Sequence, residues 1–93
     1  MVQKEIDMIK QRFTQMGENG IPILVDVILH NKIEMLRIIA LEALLKMETK
    51  DLKKIPVSSL EHLLEEEEKE PIKKGILELL KKMNEFSPHS ALN

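Results

Sequence analysis

Residues 34–47, EMLRIIALEALLKM, hold ten apolar residues among fourteen, and their spacing constrains the fold more than any other stretch. At about 100° per residue, a helix here gathers its apolar side chains into two stripes rather than one. The wide stripe carries Leu36, Ile39, Ala40, Ala43, Leu44 and Met47, and the narrow one carries Ile38, Leu41 and Leu45. Arg37 separates them on one flank, and Glu42 with Lys46 on the other. A helix that is apolar on two sides needs cover on two sides. The stretch is therefore expected at the centre of an all-α domain.

The surrounding chain reads as four further helices. Val2, Ile6, Ile9, Phe13 and Met16 repeat at 4-3-4-3 spacing, which predicts a helix over 2–16, with Gly17 as a left-handed C-terminal cap. Residues 21–30 are broadly apolar, and Pro22 suits a first turn, where its missing N–H costs nothing. Residues 49–55 read as a polar connector in which Asp51 caps one extra turn. Ser58 and Glu61 then stand at capping-box spacing ahead of Leu60, Leu63 and Leu64, and the run Glu65 to Glu68 closes that helix as a solvated end. The last helix opens at Glu70-Pro71 and buries Ile72, Ile76, Leu79, Leu80, Met83 and Phe86. Gly75 inside it costs about 1 kcal/mol against alanine and signals close helix approach. Residues 87–93 read as a flexible tail.

A shift of 36 residues lays EMLRIIALEALLKM on EPIKKGILELLKKM. Glu34/Glu70, Leu41/Leu77, Glu42/Glu78, Leu44/Leu80, Lys46/Lys82 and Met47/Met83 are then identical, and Leu24, Val27 and Ile28 fall on Leu60, Leu63 and Leu64. Two helices per unit at this period are the signature of an α-solenoid. The single domain, 1–86, divides into a capping helix at 1–17, repeat one at 20–48 and repeat two at 56–86.

Repeat one resembles a HEAT repeat, in particular the short HEAT-like type named for the phycobilisome lyases. Leu36-Arg37 followed by Ile39-Ala40 and Ala43-Leu44 matches that family's second-helix pattern, and Pro22-Ile23-Leu24 matches the opening of its first helix. The resemblance covers about residues 20–86 and implies an armadillo-like, right-handed α-α superhelix of five helices whose second helices line a concave face. It departs from the family at Asn31 and Glu67, where an aspartate that ties neighbouring repeats is common, and at Lys73, where the second arginine is expected. The resemblance therefore implies an altered ladder between repeats.

The repeats differ more informatively than they agree. Ile38, Leu41 and Leu45 become Lys74, Leu77 and Lys81, and Ile23, Val25 and Leu29 become Ser59, Glu61 and Glu65. Repeat two is polar outside, as a terminal repeat must be, whereas repeat one stays apolar. Two arrangements fit the narrow stripe: an open apolar patch serving as a protein interface, or a stripe covered by the first helix or the tail.

The remaining chemistry is sparse. With no cysteine, disulfides and thiolate metal sites are excluded, and a net charge of −2 disfavours a globally basic nucleic-acid binder. The two aromatic residues, Phe13 and Phe86, are too few for base-stacking platforms. No secretory leader and no apolar run of bilayer length is found, so a cytoplasmic protein is expected. His30, His62 and His89 read as surface histidines, since the one adjacent pair, Glu61-His62, lacks the order and repetition of the HEAT-like di-iron hydroxylases. Ser58, Glu61 and His62 lie within one helical turn, which denies them the geometry of a catalytic triad.

These readings converge on a non-enzymatic interaction or scaffold module, without cofactor or metal, that binds a protein partner or a second copy. The expected interface is Arg37, Ile38, Leu41, Leu45, Lys74, Leu77 and Lys81. An alternative is a nucleic-acid or phosphate-binding module using Lys73, Lys74, Lys81 and Lys82. A subunit of the bilin-lyase type is suggested by the resemblance alone.

Overall fold

The computed structural model describes residues 2–85, and among them the chain is all-helical with no strand. Phe86 and the expected tail at 87–93 lie outside the described residues. Helix α1 (Gln3–Gln15) ends at Gly17, whose φ of 61° is the left-handed conformation expected of that glycine. A 3-10 turn over Gly17–Gly20 leads into α2 (Ile21–His30) and then α3 (Glu34–Leu45). The one-turn helix α4 (Thr49–Leu52) precedes α5 (Val57–Glu66) and α6 (Glu70–Glu85). The five long helices follow the expected order, and the extra turn forms, but Glu48 precedes it as N-cap and Asp51 lies inside it rather than capping it.

The period of 36 reappears in the backbone. Helices α2 and α5 begin and end at positions 36 apart, and α3 and α6 both open on a glutamate at that offset. The turns between them match in detail. Asn31 N–H donates to the Val27 carbonyl as Glu67 N–H does to Leu63, and the Leu36 and Arg37 amides bond to Ile33 as those of Ile72 and Lys73 do to Lys69. The side chains at the turn are used alike too. Asn31 Oδ1 accepts from Ile33 N–H at 2.8 Å, and Glu67 Oε2 accepts from Lys69 N–H at 3.2 Å.

Helix α3 is central, packing against α1, α2 and α6, while α5 packs on α6. Its wide stripe enters the core through Ile39, Ala40, Ala43 and Leu44, with Leu36 and Met47 half-buried. The same core takes Leu24 and Ile28 of α2, Leu60 and Leu63 of α5, and Ile72, Ile76 and Leu79 of α6. Two fully buried residues, Leu52 and Ile55, come from the segment read as a polar connector. Their three-residue spacing on α4 and the turn after it drops both side chains onto the core. Burying two such side chains contributes about 1.5–3 kcal/mol each.

The cap of α5 also differs from expectation. Helix α5 starts at Val57 behind Pro56, with no side-chain capping bond, so Ser58 lies inside the first turn. The chain enters α5 in the register by which it enters α2, and that register overrides the local capping signal.

Candidate interaction surface

Arg37 was expected at an interface with a partner, and the structure uses it between the repeats instead. Its Nε donates to the Ile28 carbonyl at 2.7 Å, at the end of α2. Its guanidinium also forms a two-pronged ion pair with Glu67, in the turn between α5 and α6. The Glu67 side chain is only 6% exposed. Burial raises its pKa, but the Arg37 hydrogen bond and the Lys69 amide outweigh that and hold the carboxyl below its usual range. Glu67 is thus set apart from the solvated run in which it stands. It occupies the place where an altered ladder was expected, and with Arg37 it ties one repeat to the next.

Leu41 also leaves the expected interface. It is 2% exposed, and Gly75 of α6 lies against it. A Cβ built on Gly75 would stand 2.9 Å from Leu41 Cδ1, so the glycine lets the two helices close over this leucine. At the far end, Lys82 Nζ donates to the carbonyls of Leu45 and Met47, the latter at 2.7 Å, and satisfies the end of α3. Glu67, Gly75 and Lys82 therefore fix α6 on α3 at three points. Ile38 and Leu45 remain half-buried beside this seam, in a shallow depression of about 220 Å³ shared with Lys74 and Glu78.

The residues that do reach solvent are on α6. Leu77 is 53% exposed, and Lys74 and Lys81 are exposed beside it. Leu77 borders two depressions. One, of about 760 Å³, runs past Leu64, Pro71 and Lys73; the other, of about 650 Å³, past Val57, Leu80 and Met83. Of seven expected interface residues, the structure brings Leu77, Lys74 and Lys81 together on an open face. It withdraws Arg37 and Leu41 and leaves Ile38 and Leu45 at the seam. Val57 and Leu64 join that face without having been expected there. Their counterparts at the offset of 36 are Ile21 and Ile28, two core residues, so the signal was the retained apolar character of both positions, readable only once the cover of repeat one is known.

The lysine set of α6 is divided by the same geometry. Lys82 is spent on α3, and Lys73 lies 3.8 Å from Glu70. Lys74 and Lys81 face solvent with Glu78 between them in sequence. The histidines show no convergence: His30 pairs with Asp26 at 2.9 Å and His62 with Glu66 at 3.0 Å, each along its own exposed helix face. His89 lies outside the described residues. Among the described residues no cluster of three metal-ligating side chains occurs, and no helix is long and apolar enough to cross a membrane.

Compared with family models, with curated proteins and with solved structures, the chain matches none.

Proposed function

We propose that this chain is a short α-α superhelical repeat protein of the HEAT-like kind and that it acts by binding another protein. The superhelical reading is supported by the recurrence of helix ends, turn hydrogen bonds and turn side chains at 36 residues, and by the Arg37–Glu67 tie between the two units. The binding reading rests on one observation. Leu77 is the counterpart of Leu41, yet it stands in solvent between two depressions lined by apolar side chains. The interface therefore moves from the narrow stripe of α3 to the outer face of α6.

Cross-linking in cells that produce the protein tests this, with wild type, Leu77→Glu and Ile38→Lys compared at equal expression. The expected result is a partner cross-link lost with Leu77→Glu and kept with Ile38→Lys. Equal cross-linking by all three forms would contradict the assignment of the α6 face.

A further inference from the structure

The two repeats can be compared position by position, and the comparison has a direction. Four apolar residues of repeat one are covered, and the same positions of repeat two are more open. Leu41 is buried under Gly75, whereas Leu77 is exposed. Ile21 is buried beside Ile55 of the connector and Pro56 of repeat two, whereas Val57 is 46% exposed. Ile28 and Leu44 are fully buried, whereas Leu64 and Leu80 are only half-buried. Four apolar positions thus change together, although all four remain apolar in sequence. A face meant only for water would have become polar at some of them, as Glu61 has in place of Val25.

The protein also shows how such a face is filled, since α6 fills that of α3. It brings the Glu67 carboxylate to Arg37, a glycine eight residues later beneath Leu41, and an apolar stripe between. The equivalent position to Arg37 is Lys73, still a cation, and its neighbours on the open face are Lys53, Lys74 and Lys81 against Glu61 and Glu70. A complementary surface must therefore carry acid.

A second copy does not supply it. Antiparallel pairing of two α6 helices about Leu77 sets Lys73 opposite Lys81 twice, which is repulsive. Helix α1, at the other end, exposes Lys4, Glu5 and Arg12 around Met8, a mixed surface with neither glycine nor alanine to lie beneath Leu77.

We propose that the outer face of α6, with Val57 and Leu64 of α5, docks an acidic amphipathic helix of another protein in the register by which α6 docks on α3. A carboxylate meets Lys73, and a glycine or alanine eight residues later lies beneath Leu77. The inference rests on the reading of the chain as a protein-binding module and specifies its partner.

The test uses the full chain labelled with ¹⁵N and a synthetic peptide of residues 66–85 carrying Lys74→Glu and Lys81→Glu. This probe keeps the Glu67-to-Gly75 spacing and adds acid. Amide shifts are expected to saturate with peptide and to cluster at Val57, Leu64, Leu77 and Leu80. Gly75→Leu in the peptide, or Lys73→Glu in the protein, is expected to weaken binding about tenfold or more, roughly 1.4 kcal/mol. Leu77→Glu in the protein should do the same, with an unchanged helical spectrum as its folding control. Absence of shifts, shifts indifferent to Gly75→Leu, or shifts centred on Ile38 and Leu45 would each overturn the proposal. Should the cellular cross-link still depend on Leu77 when the peptide fails, the helix-docking register alone is overturned.

Discussion

Helices α3 and α6 are the same element of two successive repeats, and they live in different environments. Helix α3 has neighbours on three sides, while α6 has α3 on one flank, α5 and the core beneath it, and an open outer flank. The difference shows what each of the two matched leucines does. Leu41 is a structural residue because Gly75 of α6 lies over it. Leu77 stands at the matching position, between Lys74 and Lys81 where Leu41 stands between Ile38 and Leu45, and has no such helix upon it. One leucine type at one repeat position is thus core where a helix lies over it and surface where none does.

The sharpest way to break this comparison is truncation of both leucines. Leu41→Ala is expected to lower the unfolding free energy by about 3 kcal/mol, because it removes buried methyl groups and leaves a cavity. Leu77→Ala should stay within about 0.5 kcal/mol of wild type, as exposed sites do. Urea unfolding of the two variants checks both, and similar losses would place the two leucines in equivalent environments.

A smaller effect is expected at the tie between repeats. Glu67→Gln removes the charge that Arg37 holds and should cost about 2 kcal/mol at neutral pH. Because the Glu67 pKa is lowered on folding, its contribution is present above the ordinary value of 4.5 and is lost as pH falls through the folded value. Wild type and Glu67→Gln should therefore differ at neutral pH and converge in acid, which thermal unfolding across that range measures. A constant gap at all pH values would count against the ion pair as the source.

Much of the fold was legible because it is periodic. The offset of 36 residues located both helical hairpins, and the glycine inside the last helix announced a close approach. What escaped the sequence was the identity of the neighbour. The narrow stripe of α3 was visible, but a single helix does not say which partner covers it, and Gly75 was not matched to Leu41. Glu67 was hidden in a run of four glutamates whose composition says solvent, although its register placed it in the turn beside Arg37. Leu52 and Ile55 were too isolated among lysines to stand out as core, since two apolar residues define no period. At the candidate site, Leu77, Lys74 and Lys81 were identified from the difference between repeats, whereas Val57 and Leu64 required knowing which faces of repeat one are covered.

The measurement closest to the central claim is the response of the leucine methyl signals of the labelled protein to a soluble paramagnetic agent. Strong broadening at Leu77 with the Leu41 methyls protected is the predicted result, and equal broadening, or protection of both, would contradict the account.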